Sequence, residues 1–322
     1  MTTRTMLVLT MVLAVAVCIS PVLAASTQPV VLQLKGQVGD QAQYRTDLDF
    51  AVDLEINDPS GGLSVTVKPR LNGWVTSSEK VAAVSPAGDL TMTGRIDAFD
   101  LRFDVANLHL RAAVDPGAGG LGQLIKLPEI PVRAVVSKRG QVIGLQGLDK
   151  LPIPPLPGPG GAKINLAEMI NQVLSKYSQP ILADRPVSVG ETWTVESAVN
   201  LAEMMKSLGM PLPVGTEQQM GKLDLSLKTT YAFRGYEVVK GQEAAVIEAN
   251  SPWKIEFPVG DPKAAKGLLT ETGSTVMTIH LVPTTGKVVR ERVEFALEMT
   301  VQDQGATPAH MTMRATVVQD AL

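Results

Sequence analysis

The chain has 322 residues, with 29 Lys and Arg against 32 Asp and Glu, a net charge of −3, and only six Phe, four Tyr and three Trp. The charge signs are mixed along its length, which excludes the basic stripe of a nucleic-acid binder. So few rings argue against a carbohydrate-binding platform, and the core must be built from Val, Leu, Ile, Ala and Met.

The N-terminus reads as a targeting segment. Arg4 is the only charge before Lys35, Met6 to Ile19 is almost wholly apolar, Ser20-Pro21 breaks any helix, and Val22-Leu23-Ala24 offers a cleavage site. That layout predicts a secretory signal peptide over 1–24 and export to the periplasm or beyond, with cleavage near Ala24/Ala25. The apolar run is short for a membrane span, which needs about 20 residues. Cys18, the chain's single cysteine, lies inside this segment. Val17 before it is unlike the small residue that a lipidation signal places there. The mature chain is therefore expected without disulfide or thiol chemistry.

A β-rich half is expected over 25–150. From Gln43 to Ile56, Tyr44, Thr46, Leu48, Phe50, Val52, Leu54 and Ile56 fall on one face and mostly polar residues on the other. Period two marks a half-buried strand. Strands this long twist and curl, so a curved sheet is predicted. Asn57 to Gly62 is loop chemistry, and Pro69 places a bulge or an edge after Leu63, Val65 and Val67. Leu90, Met92 and Ile96 share one parity, whereas Phe99, Leu101, Phe103 and Val105 take the other. Such a switch predicts a β-bulge. Val132–Val136 and Gln141–Leu145 read as a hairpin around Lys138-Arg139-Gly140.

Residues 151–187 are expected to hold a linker and a helix. Leu151 to Gly161 is a Pro/Gly connector, extended or irregular. Asn165 with Glu168 makes a capping box, and Leu166, Met169, Ile170, Val173, Leu174 and Tyr177 form an apolar helical stripe that Pro180 stops. Pro180 to Glu196 then acts as a joint between halves and opens a short strand, Thr192 to Val195, containing Trp193. The second β-rich half, 188–322, contains another capped segment, Asn200 to Leu208, with Leu201, Met204, Met205 and Leu208 on one side. Strands are expected within 223–233, 242–249, 276–282, 288–301 and 311–317, as an antiparallel meander with one wet face. Three matches in the same order raise an internal duplication: Val38-Gly39-Asp40 with Val189-Gly190-Glu191, Ala82-Ala83-Val84 with Ala244-Ala245-Val246, and Gly140-Gln141-Val142 with Gly286-Lys287-Val288.

Catalytic signatures are missing. The sequence has no Gly-x-Ser-x-Gly elbow, glycine-rich phosphate loop or dinucleotide fingerprint. His109, His280 and His310 lack metal-ligand spacing. Asp47, Asp49, Asp53 and Glu55 diverge along a strand and read as a solvated face. Methionine is the informative residue: ten remain after cleavage, five of them between 169 and 220. Pliable side chains recur at adaptable apolar sites. Met169, Ile170, Val173, Leu174, Met204, Met205, Leu208 and Met220 are therefore the candidate pocket lining.

The stretch Pro186-Val187-Ser188-Val189-Gly190-Glu191-Thr192-Trp193, with the Thr-Gly-Lys-Val turn at 285–288, resembles a family of uncharacterised exported bacterial proteins over residues 180–300. That resemblance implies no activity and no site residues. The expected architecture, long curled strands with a few covering helices, is similar to periplasmic lipoprotein-carrier folds. The reading is a mainly β protein with few α elements: two curved antiparallel sheet halves with two amphipathic helices near their joint. The expected function is non-catalytic carriage of an apolar ligand or lipid in the cell envelope, without cofactor, metal or nucleic acid. The alternative is a structural or protein-interaction module with an envelope partner, and a hydrolase comes third.

Overall fold

A computed structural model describes residues 28–57, 64–105, 108–114, 132–146, 156–157, 163–164, 178–200, 224–259, 267–302 and 309–322. In chain order the strands are β1 (Gln41–Asn57), β2 (Ser64–Val67), β3 (Arg70–Val84), β4 (Leu90–Val105), β5 (Leu108–Val114), β6 (Val132–Val136) and β7 (Val142–Gln146). There follow β8 (Leu156–Pro157), β9 (Lys163–Ile164), β10 (Thr192–Asn200), β11 (Asp224–Val239), β12 (Gln242–Val259), β13 (Gly267–Val282), β14 (Lys287–Gln302) and β15 (Ala309–Ala321). No helix occurs among the described residues. The helices expected at 166–177 and 201–208 lie outside them.

The mainly antiparallel β class is as expected, but the two sheet halves are one sheet. Its 13 strands run β10-β11-β12-β13-β14-β15-β1-β3-β4-β6-β7, with β2 beside β1 and β5 beside β4. The halves fuse where β1 meets β15, from Tyr44 opposite Ala321 to Glu55 opposite His310. Both strands alternate in phase, so Leu48 and Val317 share the buried face with Thr46 and Gln319. Pairing also removes two exposed edges that separate halves would have left.

The sheet curls strongly. Its end strands are ten steps apart, about 48 Å if the sheet were flat. Yet Ala134, Val136, Val142 and Leu145 of β6 and β7 belong to one core with Tyr231, Phe233, Ala245 and Ile247 of β11 and β12. Leu32, Leu34, Leu182 and Val187, from two segments outside the sheet, fill the space between. The turns at 85–89, 137–141, 240–241 and 283–286 stand at this closed end. Phe99, Leu101, Leu48, Val75 and Val317 form a second cluster further along the strands.

Some local expectations hold and others do not. In β4 the ladder slips where Thr76 faces Ala98 and Ser77 faces Ile96, so Asp97 is the extra residue that switches the parity. Val38-Gly39-Asp40 and Val189-Gly190-Glu191 are built alike. In each, the glycine has positive φ, +98° at Gly39 and +87° at Gly190. In each, the carboxylate accepts from a backbone amide three residues back, Gln37 N–H at 2.8 Å and Ser188 N–H at 2.9 Å. The second sequence match does not superpose. Ala82–Val84 precede the β3–β4 turn, whereas Ala244–Val246 follow the β11–β12 turn. Of the Pro/Gly connector, Leu156 and Pro157 are described and are extended, Leu156 pairing with Ile164 and Pro157 with Lys163.

Candidate functional site

The joint closes the curled sheet at one end. At the β6–β7 turn, Ile181 N–H and Leu182 N–H donate to the Arg139 carbonyl at 2.8 and 3.0 Å, and Arg139 Nε donates back to the Leu182 carbonyl at 2.9 Å. Ser178 Oγ accepts from Val142 N–H at 2.8 Å. At the other sheet edge, Gly190 N–H donates to the Phe233 carbonyl at 2.7 Å, and Phe233 N–H to the Glu191 carbonyl at 3.0 Å. The N-terminal arm threads between them: Val30 and Val187 exchange two backbone hydrogen bonds of 2.9 Å, and Leu34 N–H reaches the Lys138 carbonyl at 2.6 Å. Trp193 Nε1 donates to the Ile181 carbonyl at 3.2 Å and its ring stacks on Tyr231 at 5.6 Å. Backbone groups of opposite edges are thus satisfied through an intervening segment.

A polar row crosses the closed interior. Glu291 on β14 stands opposite Gln319 on β15, which shares its β15 position with Thr46 on β1. All three are buried, as are Ser77 and Glu79 on β3. Desolvation pushes the Glu291 carboxyl up to about 8, and burial, with Glu291 adding to it, pushes the Tyr231 phenol up to about 12. A cavity of about 30 Å³ lies beneath the arm, lined in part by Tyr44, Glu79, Val81 and Leu90. This is on the order of a single water's share of liquid volume.

Beyond the second core cluster, the inward face of the strands becomes an apolar trough. Phe50, Val52 and Leu54 on β1 stand opposite Ala315, Met313 and Met311 on β15. These in turn stand opposite Phe295, Leu297 and Met299 on β14. Trp253 and Ile255 on β12 face Gly273 and Glu271 on β13. These side chains are only half-buried. Gly273 is glycine because Trp253 lies over it: an added Cβ would collide with the indole. Trp253 packs against Phe295 with centroids 5.5 Å apart, and its Nε1 donates to Glu271 Oε1 at 3.3 Å.

The outward face is charged. Arg292 pairs with Glu294 at 2.6 Å, Arg290 with Asp320 at 2.7 Å and Lys254 with Glu256 at 2.6 Å. Arg111 holds Asp100 at 2.7 Å and keeps its carboxyl below the usual range. Asp47, Asp49 and Glu55 are exposed as expected, and Asp53 is held by Arg70 at 3.0 Å. The histidines keep to separate partners: His109 with Asp104 at 2.6 Å, His280 with Glu237 at 3.1 Å and His310 with Thr300 at 3.2 Å. Among the described residues no group of acidic, His or Cys side chains is arranged to hold a metal, and no helix is long and apolar enough to cross a membrane.

Met169, Ile170, Val173, Leu174, Met204, Met205, Leu208 and Met220, the expected pocket lining, lie outside the described residues. The described methionines that do converge are Met299, Met311 and Met313, which strand alternation places together. Trp253 lies beyond the strand expected over 242–249, past Pro252. In β12 that proline faces outward and is exposed, opposite Ser274, and the ladder continues to Val259.

No family model matches the chain, and no curated protein matches it significantly. Among solved structures, OccK5 (OpdH) of Pseudomonas aeruginosa is similar at 9% identity, over 89% of this chain and 99% of that one, with a TM-score of 0.22. OpdQ of the same organism is similar at 8% identity, over 88% and 99%, with a TM-score of 0.20. OmpT of Vibrio cholerae, an outer membrane protein with loop L8 deleted, gives 8%, 89% and 100%, with a TM-score of 0.17. Likeness at these scores carries no conclusion about this chain.

Proposed function

We propose that this is an exported, water-facing envelope protein that binds or carries an apolar ligand or lipid without catalysis. The observation that carries the reading is the half-buried apolar face of β12, β14, β15 and β1, set against a charged outer face. Apolar surface left facing water forgoes about 25 cal/mol per Å². An apolar molecule seated there recovers it. The outer ion pairs are the inverse of the lipid-facing apolar band of a transmembrane barrel, so the apolar ligand belongs inside and water outside. Export rests on the apolar segment before Ala25.

The test is titration of the delipidated mature chain with an environment-sensitive apolar dye. Leu297 and Met313 stand opposite one another in the trough. Leu297→Asp with Met313→Asp should weaken dye binding at least roughly tenfold, since each places a charge in an apolar site. The outward Arg314→Asp should leave binding unchanged, and far-UV circular dichroism should report intact strands in all three. Wild type that binds no dye, or a trough variant that binds as well as wild type, contradicts the proposal. The alternative is a protein-interaction module. It draws on β10, whose nine residues pair with β11 alone among the described strands and leave an edge open to strand addition.

A further inference from the structure

The trough carries a single ionisable group among the described residues. From the row of Phe50 and Phe295 outward, the inward positions on β12, β13, β14, β15 and β1 are apolar or neutral except Glu271. Its cross-strand neighbours are Ile255 and Met299. It forms no ion pair with a described residue, and it accepts a hydrogen bond from the Trp253 indole. The nearby Lys254 is committed outside to Glu256. A carboxylate set among apolar side chains, with no cationic side chain beside it, offers its charge to a cation entering the trough. The rings beside it suit one: Trp253 lies over Gly273, with Phe295 tilted 34° against it. A cation over an indole face is attracted by the ring quadrupole.

We infer that the ligand is a cationic amphiphile whose ammonium group is held by Glu271 against the face of Trp253, an inference that rests on the apolar-ligand reading above. Glu271 stands four residues from the start of β13 at Gly267, about 14 Å from that strand end. The ammonium therefore sits toward the mouth, and its alkyl chain runs inward along Leu297, Met313 and Val52 to Leu48 and Val317. Deeper still is Glu291, 4% exposed. The Glu271 carboxylate, with no base along this path, disfavours an anionic head group.

The experiment uses three probes of equal chain length, dodecyltrimethylammonium, 1-dodecanol and dodecanoate, titrated calorimetrically into the delipidated mature protein below their aggregation concentrations. The ammonium should bind roughly tenfold more tightly than the alcohol, from the carboxylate and the ring together, and dodecanoate most weakly. Glu271→Gln should bring ammonium binding down to that of the alcohol and leave alcohol binding unchanged. Trp253→Leu should weaken the ammonium more than the alcohol, and the outward Glu298→Gln should change nothing. Dodecanoate binding as tightly as the ammonium, or a Glu271→Gln variant that keeps the preference, overturns the inference. Dodecanol binding without discrimination overturns it too, while leaving the apolar-ligand reading intact. Failure of all three probes removes that reading and this inference with it.

Discussion

Glu291 is an acid on an inward strand face, 4% exposed, and burial pushes its carboxyl up to about 8. Its unfolded value lies near the ordinary 4.5. Between those pH values the unfolded chain has lost a proton that the folded chain keeps, so stability falls as pH rises and levels off above about 8. Glu291→Gln removes this slope. Its stability relative to wild type should improve by roughly 3 kcal/mol between pH 4 and pH 7, with the difference flat below about 4.5. Urea unfolding at a series of pH values measures it, and a pH-independent difference contradicts the assignment. Asp53, Asp100 and Glu191 are shifted down and contribute in the opposite sense, losing their stabilisation as pH falls. At this scale the sequence was only partly readable. The alternation of β14 placed its apolar residues on one face, but Glu291 shares that face with Val293, so an acid in the core followed from parity without being singled out. Glu271 gave still less signal, since its strand was expected to begin only at Val276.

Among the elements, the long strands were the most legible, because period two over 14 residues has no helical counterpart. The parity switch in β4 located a bulge for the same reason: one extra residue inverts everything after it. The strand ends were less legible. β13 and β15 run several residues beyond the expected 276–282 and 311–317, held by neighbours on both sides rather than by their own pattern, and β12 resumes its alternation at Trp253 and Ile255 beyond Pro252. The joint was recognisable by its prolines and glycine, but not its role as the tie between sheet edges, which depends on backbone groups far apart in the chain. Arg139 is central to that tie. Arg139→Ala removes the donor to the Leu182 carbonyl and should cost roughly 1.5–3 kcal/mol, as for a hydrogen bond from a charged group. Hydrogen exchange should accelerate at Ile181, Leu182, Val30 and Val187 before it does so in β13 or β14. Uniform acceleration across the sheet would show that the joint does not open as a separate unit.

At the scale of the whole fold, the described residues form a curled sheet, closed at one end by the arm and the joint and lined further along by half-buried apolar side chains. Two sheet halves were expected because each half alternates on its own. That β15 returns to pair with β1 is a long-range choice no local window contains. The central claim is that the trough seats an apolar molecule, and the three tryptophans allow a direct measurement. Trp253 lies in the trough, Trp193 stacks on Tyr231 at the closed end, and Trp74 lies on the outer face under Arg45, 4.8 Å from its ring. With Trp74→Phe and Trp193→Phe, fluorescence reports Trp253 alone. Titration with a dodecanol brominated near the middle of its chain should quench that emission saturably. The companion variant that keeps only Trp74 should be quenched no more than free tryptophan is. Equal, non-saturating quenching of both would contradict a ligand seated in the trough.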